Sequence, residues 1–234
     1  EASLSPRTRL IMLNSPGNPT GGILSARTLE RVADLARERD LWILSDEIYA
    51  RLVYEGQAPT IVALPGMKER TILADGFSKT YAMTGWRLGF GLVPQPLAEK
   101  LDLLLTHSVG CTATFTQYAG LEAVLGPQDD VEAVVGEFRE RRDVMINGLN
   151  EIPGVLCSVP RGAFYAFPNI RAFGRPAADL ADYLLQEAGV AVLPRTAFGQ
   201  NGEGYLRLSY ANSIESIQQA LARIETALSA LPRS

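Results

Sequence analysis

Histidine, cysteine and long apolar runs are all scarce in this sequence. One histidine, His107, cannot build a histidine-rich metal site, and a Ser-His or Cys-His catalytic pair would depend on that single side chain. Two cysteines, Cys111 and Cys157, are too few for a disulfide framework, and we expect both to be small buried fillers in a cytoplasmic protein. No stretch reaches the roughly 18 apolar residues of a membrane span. We therefore expect no metal site and no membrane segment.

A dense positive surface is also missing. The chain has 22 Lys+Arg against 26 Asp+Glu, for a net charge of −4, and its basic residues are scattered. Because nucleic-acid binding requires a concentrated basic stripe, we expect no nucleic-acid partner. With 234 residues, 47% of them hydrophobic, the chain can form one or two domains without disulfides. It begins with Glu1 and soon enters an apolar strand, which is typical of a piece of a longer protein.

The first half of the chain alternates short apolar runs with helical patterns, and this alternation predicts an α/β fold with a mostly parallel sheet. Strands are predicted at 9–13, 41–45, 71–74 and 88–93. Ser25 can cap the helix between the first two strands. Helical patterns follow Pro94, up to 106 and at 115–125 and 131–149. We interpret them as bridging helices.

After residue 153 the pattern changes. Short strands are predicted at 155–159, 163–167, 190–193 and 205–209, and helices at 177–188 and 213–231. We predict two domains: a larger α/β domain with the bridging helices over residues 1–145, and a smaller α+β domain over 146–234.

A turn rich in proline and glycine, residues 14–21, directly follows the first strand. Its composition predicts a tight, exposed turn at the carboxyl end of the strand, where open α/β sheets bind their ligands. Asn18, between Gly17 and Pro19, is placed to point at a ligand. An ordinary strand-to-helix turn would explain the same pattern.

Two further polar segments also follow predicted strands. Asp46 comes directly after the second strand, and its carboxylate is either solvated or buried against a cation such as a charged ring nitrogen. Tyr49 could reach the same ligand. Lys79 lies in a turn rich in glycine and serine, where desolvation can make a lysine a nucleophile toward an aldehyde. Arg87, eight residues later, presents a planar fork suited to phosphate or carboxylate.

From about Leu10 to its end, the chain resembles the aspartate-aminotransferase family of pyridoxal-phosphate enzymes, of fold type I. The matching motifs, in order, are Asn18-Pro19-Thr20-Gly21, Asp46-x-x-Tyr49, Ser78-Lys79 with Gly85-Trp86-Arg87, and Leu206-Arg207-Leu208-Ser209. Four motifs in register are specific, whereas any one alone is weak. The resemblance implies that residues 1–145 are the carboxyl-terminal part of the cofactor-binding large domain, and 146–234 the small domain.

The resemblance also implies a role for each cofactor-binding residue. Lys79 would form a Schiff base with the aldehyde of pyridoxal 5'-phosphate and shuttle a proton to and from the substrate α-carbon. Asp46 would pair with the pyridine nitrogen. Tyr49 and Asn18 would hydrogen-bond the phenolic oxygen of the ring.

The remaining motif residues would bind phosphate and substrate. Ser78 and Arg87 would hold the phosphate, and Arg207, assisted by Asn18, would grip the substrate α-carboxylate. Gly76 stands where many family members have a serine that contacts the phosphate, so one side-chain contact is missing.

The reaction implied is transamination between an L-amino acid and a 2-oxo acid, in a homodimeric enzyme. Asp46, Lys79 and Arg207 recognise features that all amino acids share, so these motifs leave the substrate open. One alternative is a carbon–sulfur β-lyase on the same scaffold, since both reactions labilise the α-proton. Another is an aminotransferase-like sensor domain of a transcription regulator.

Two other segments have competing interpretations. Phe164 or Tyr165 could touch the substrate, but aromatic residues at strand spacing favour core packing. The basic cluster from Arg139 to Arg142 is interpreted as a solvated helix face.

Overall fold

The computed structural model describes residues 3–194 and 202–232. The chain divides into two compact units: residues 1–16 with 23–132 form the first, and residues 17–22 with 133–234 form the second. The first unit contains β1 (Leu10–Asn14), α1 (Ala26–Glu38), β2 (Trp42–Asp46), β3 (Thr71–Gly76), α2 (Phe77–Thr80), β4 (Gly89–Leu92), α3 (Gln95–Ser108) and α4 (Thr114–Leu125). The helix α5 (Asp129–Glu151) begins in the first unit and ends in the second.

The first unit has a four-stranded sheet in the order β1-β2-β3-β4. The first three strands are parallel, and the register pairs Asn14 with Asp46 and Asp46 with Ala74, so their carboxyl ends align. The fourth strand is antiparallel, so the sheet is mostly parallel, as predicted. The physical reason is the connection: only the four-residue α2 and a short 3₁₀ turn link β3 to β4, and a parallel return requires a full crossover, usually a helix.

The core of this unit lies between the sheet and α1. Ser25 caps the helix as predicted, since its side chain accepts a hydrogen bond from the backbone of Thr28. The buried cluster consists of Leu29, Ala33, Ala36, Leu41, Ile43, Ile61 and Met67. Burial of each large apolar side chain contributes about 1.5–3 kcal/mol, so this cluster holds the strands whose ends carry the predicted site.

The described part of the second unit contains, besides most of α5, a small antiparallel sheet and two further α-helices. Its further elements are β5 (Tyr165–Ala166), α6 (Ala177–Ala188), β6 (Leu193–Pro194), β7 (Leu206–Ser209) and α7 (Ile214–Ser229). The strand order is β5-β7-β6, with β7 in the centre. The apolar stripes of α6 and α7 are buried, with Leu180, Leu184, Ile217 and Leu228 almost fully covered.

The strand predicted at 155–159 does not form. Only an isolated bridge joins Leu156 to Asn169. The cause is Asn150 on α5, whose side chain accepts from the backbone N–H of Cys157 at 2.7 Å and donates to its carbonyl at 3.0 Å. Both backbone groups that a sheet ladder would use are therefore satisfied locally.

The two cysteines differ in environment. Cys157 is buried as expected, and burial raises the pKa of its thiol to about 11. Cys111 is exposed, so the expectation of a buried filler is wrong there. Among the described residues, no helix is long and apolar enough to cross a membrane, and no group of His, Cys, Asp and Glu could hold a metal ion.

Candidate active site

The carboxyl ends of β2 and β3 carry the site residues of the first unit. Asp46 ends β2, and its backbone carbonyl accepts from the amide of Ser15 at 3.2 Å and from the side chain of Asn14 at 3.4 Å. One carboxylate oxygen, Oδ1, accepts from the amide of Ile48 at 3.2 Å. The half-buried carboxylate is therefore held on a fixed backbone.

The segment after β2 is anchored on both sides. Tyr49 is buried, with 3% of its surface exposed. Glu47 donates its amide to the carbonyl of Ala74 at 2.9 Å, and its carboxylate accepts from the hydroxyls of Ser45 and Thr60 at 2.9 and 2.6 Å. These bonds join the turn that carries Tyr49 to the end of β3.

Ser78 and Lys79 lie on the short helix α2, directly after β3, and both are half-buried. Phe77 anchors this helix: its ring is buried and stacks on Tyr81 at 5.5 Å. Arg87 is exposed, has φ of +54°, and donates from Nη1 to the carbonyl of Thr84 at 3.0 Å. The structure thus places one amine, one hydroxyl and one guanidinium after the end of β3.

Gly76 lies at the position where the resemblance implies a serine that would contact the phosphate. A Cβ at this position would lie 3.1 Å from Cα of Gly89 and 3.1 Å from the carbonyl oxygen of Leu88. Those atoms belong to backbone that cannot rotate away, so β4 would have to move to admit a side chain. The close approach of the two strands accounts for glycine at this position.

Asp75, next to Gly76, is a titratable group that the sequence interpretation missed. Burial raises its pKa from 3.8 to about 6, and the negative charges of Glu47 and Asp46 act in the same direction. Two interactions lower the pKa of Asp75 and so oppose this rise. The amide of Gly76 donates to Oδ1 of Asp75 at 2.6 Å, and the positive charge of Arg51 favours the carboxylate. A polar residue directly before the lysine turn was the only sign of it in the sequence.

In the second unit, Arg207 and Asn18 are paired. Arg207 lies on the central strand β7 and donates from Nη1 to Oδ1 of Asn18 at 2.9 Å. Two backbone hydrogen bonds close the turn that carries Asn18. The amide of Gly17 donates to the carbonyl of Gly22 at 2.9 Å, and the amide of Gly21 donates to the carbonyl of Gly17 at 2.7 Å. The structure thus joins Asn18 and Arg207 by a direct hydrogen bond, and their role in binding the substrate stays a prediction.

The same turn is attached to residues 160–162 of the second unit. The carbonyl oxygen of Gly21 accepts from the amides of Arg161 and Gly162, both at 3.0 Å. Gly21 has φ of +64°, and a Cβ there would lie 2.4 Å from Cβ of Pro160 and 2.7 Å from the carbonyl of Gly162. Only glycine fits between these atoms.

Arg142 supports residues 160–162 from α5. Its guanidinium donates to the carbonyl of Pro160 at 3.4 Å and to the carboxylate of Asp143 at 2.8 Å, and only 5% of the residue is exposed. The expectation of a solvated face is therefore wrong for Arg142, because its position on α5 faces this turn. The fully buried Tyr210 adds a bond from its hydroxyl to the carbonyl of Ala163 at 3.2 Å.

Tyr165 is packed in the second unit, in agreement with the favoured interpretation. It is 7% exposed, and its ring lies 4.9 Å from that of Phe164. In addition, the guanidinium carbon of Arg207 lies over the Tyr165 ring at 4.8 Å from its centroid. The aromatic motif at 161–165 was visible in the sequence, but its contact with Arg207 was not.

Residues 1–224 match the family described as aminotransferase class I and II, and the chain belongs to that family. It is 44% identical, over 96% of its length, to the putative aminotransferase YugH of Bacillus subtilis, and 43% identical, again over 96%, to an aspartate aminotransferase of Pyrococcus horikoshii. The crystal structure of an aromatic aminotransferase from Pyrococcus horikoshii OT3 superposes with a TM-score of 0.95 at 41% identity, covering 97% of this chain and 62% of that one. The predicted family and fold class are confirmed.

The chain spans 58% of the length of both curated relatives. Its predicted site residues fall into two groups: the first unit carries Asp46, Tyr49, Ser78, Lys79 and Arg87, and the second carries Asn18 and Arg207. The β-lyase and sensor-domain alternatives are not favoured by these matches, since the relatives are named aminotransferases.

Proposed function

We propose that this chain is part of an enzyme that moves an amino group from an L-amino acid to a 2-oxo acid, with pyridoxal phosphate as cofactor. The observation that carries the proposal is the pairing of Arg207 with Asn18. An amino acid and its 2-oxo acid share the α-carboxylate, and a guanidinium held by an amide can bind it through two parallel hydrogen bonds. Membership of the aminotransferase family supports the same reaction class.

The donor set of the first unit fits pyridoxal phosphate. A half-buried carboxylate, Asp46, suits a protonated ring nitrogen, and the phenol of Tyr49 suits the phenolic oxygen. The hydroxyl of Ser78 and the guanidinium of Arg87 suit the phosphate. When bound, the cofactor supplies an aldehyde for the amino group and a ring that withdraws electrons from the substrate α-carbon.

Lys79 is the proposed catalytic residue. Its amine would hold the cofactor aldehyde as a Schiff base and would carry a proton to and from the substrate α-carbon. The amine must be neutral to attack the aldehyde and to accept the proton, and it is protonated when it returns the proton. Asn18 is proposed to orient Arg207, which would hold the substrate α-carboxylate. The hydrogen bond from Asn18 to the phenolic oxygen stays a prediction.

We also propose that the complete protein is a homodimer, as its family resemblance implies. Support comes from α4, which exposes a series of large apolar side chains: Phe115, Tyr118, Leu121, Val124 and Leu125. An exposed apolar stripe of this kind usually marks an interface. Light scattering on the complete protein tests the proposal: a dimer mass is expected, and a monomer would contradict it. Cytoplasmic localisation stays a prediction.

The reaction is tested on protein expressed from the complete coding sequence and loaded with pyridoxal phosphate. L-Aspartate, L-tyrosine and L-phenylalanine are offered with 2-oxoglutarate, and glutamate formation is measured. Transfer from at least one donor is expected. Release of pyruvate and a thiol from cystathionine without amino transfer would instead establish the β-lyase, and cofactor binding without either reaction would overturn the enzyme proposal.

The cofactor attachment is tested separately. Borohydride fixes a Schiff base to its lysine, and peptide mapping is expected to find the label on Lys79. Lys68 and Lys100 serve as internal controls, because they lie on other elements of the same unit. A label on either control lysine, with none on Lys79, would overturn the assignment.

A further inference from the structure

Tyr165 and Arg207 are neighbours across the small sheet of the second unit. In the antiparallel pairing of β5 and β7, Tyr165 lies opposite Ser209, two positions along β7 from Arg207. The guanidinium carbon lies over the tyrosine ring, 4.8 Å from its centroid. This distance is within the range of a cation–π interaction.

The ring of Tyr165, on which the guanidinium lies, is held in place by packing. Only 7% of Tyr165 is exposed, and its ring packs at 4.9 Å against Phe164. Phe164 in turn stacks on Phe138 of α5, at 5.4 Å and 20° between planes. Two further aromatic rings therefore hold the ring of Tyr165, which forms a platform beneath Arg207.

Two contacts restrain the guanidinium in different directions. The hydrogen bond to Asn18 fixes the position of Nη1 within the plane of the group. Contact with the face of an aromatic ring restrains the tilt of that plane, because the negative ring face attracts the flat cation. A bidentate bond to a carboxylate requires that both the in-plane position and the tilt of the guanidinium are fixed.

We propose that Tyr165 is a positioning residue that holds Arg207 for the substrate α-carboxylate. This inference rests on the proposed function of Arg207. The carboxylate is bound equally before and during the proton transfer, so loss of the platform weakens ground-state and transition-state binding together. The expected consequence is a higher KM for the amino acid and for the 2-oxo acid alike, with little change in kcat.

The test compares two substitutions at one site in the complete, cofactor-loaded protein. Tyr165→Phe keeps the ring face, and Tyr165→Leu removes it. Phe167→Leu is the matched control, since Phe167 also stacks on a tyrosine of the same unit, Tyr205, at 5.1 Å. KM and kcat are measured with the donor and acceptor that the unsubstituted protein turns over fastest, and the visible absorbance of the bound cofactor is recorded for each variant.

Tyr165→Leu is expected to raise both KM values about tenfold, between the sizes of an exposed and a desolvated cation–π contact, because Arg207 is half-buried. We expect kcat and the cofactor spectrum to be retained. Tyr165→Phe and Phe167→Leu are expected to stay within about twofold. In the Arg207→Lys variant, the additional substitution Tyr165→Leu is expected to cause a much smaller further rise in KM, because a compact ammonium does not lie flat on the ring. If the leucine variant does not fold, Tyr165→Met provides the same comparison.

Failure of this inference is distinguishable from failure of the proposed function. If Arg207→Lys raises KM but Tyr165→Leu does not, the platform role is overturned and the carboxylate role of Arg207 stands. A rise of equal size in the phenylalanine variant would assign the effect to the hydroxyl and would also overturn the platform role. If Arg207→Lys itself leaves KM unchanged, the proposed function of Arg207 fails first.

Discussion

Arg207 donates from Nη1 to Oδ1 of Asn18 at 2.9 Å, although 189 positions of the sequence separate the two residues. Both belong to the second unit, because residues 17–22 pack with the carboxyl-terminal part of the chain. The proposed carboxylate site is therefore built within one compact unit. Its geometry depends on the turn that carries Asn18 as much as on Arg207 itself.

Substitutions of this pair are expected to change substrate affinity. Arg207→Lys removes the bidentate fork and should raise KM by about 10- to 100-fold for amino and 2-oxo acids. Asn18→Ala removes an acceptor and should raise KM about tenfold. Steady-state kinetics measures both, with Arg171→Lys as control, since Arg171 lies over Tyr205 in the same unit. Equal KM values in all variants would exclude the carboxylate role.

Lys79→Ala is expected to abolish amino transfer while leaving the fold intact, because no other side chain can supply the amine at that position. Circular dichroism and the urea midpoint should match those of the unsubstituted protein. Lys68→Ala, at an exposed lysine before β3, should retain full turnover. Amino transfer by the Lys79 variant would contradict the Schiff-base assignment.

Gly21→Ala is expected to lower the free energy of unfolding by about 2–4 kcal/mol. A positive φ costs a residue with a Cβ roughly 1–2 kcal/mol, and overlap with Pro160 and Gly162 adds a comparable amount. Gly56→Ala is the matched control: Gly56 has φ of +71°, but a Cβ there meets nothing within 4 Å. Urea unfolding should therefore show a smaller loss for Gly56→Ala, and equal losses would show that the close approach at Gly21 carries no energy.

Asp75→Asn is expected to change how stability depends on pH. The pKa of Asp75 rises from 3.8 to about 6 on folding, so the folded protein binds more protons and loses stability as the pH rises through that range. At pH 7.5 the variant should be more stable by about 1 kcal/mol, after allowance for partial exposure of the carboxyl group. Urea midpoints at pH 5 and 7.5 measure the effect, with Asp102→Asn on the exposed surface of α3 as control. If the urea midpoints of the variant and the unsubstituted protein differ by the same amount at both pH values, the expected pH dependence is contradicted.

Much of the local structure was predictable from periodicity and caps. The helix at 177–188 has the predicted bounds, and the first three strands lie within two residues of their predicted ends. Apolar spacing determines such elements because a helix or strand buries one face at a fixed period. The strand at 155–159 failed because Asn150, close in sequence but on α5, satisfies the backbone of Cys157.

The sequence by itself determined which chemical groups are present and which elements carry them. Asp46 and Lys79 follow strands because the apolar runs before them end there, and the motif order indicates the family without any coordinates. Only the tertiary structure decided which distant groups meet. Arg142 is buried and donates to the carbonyl of Pro160, while Arg207 contacts both Asn18 and the ring of Tyr165. Contacts of this kind depend on distances between elements that periodicity does not encode.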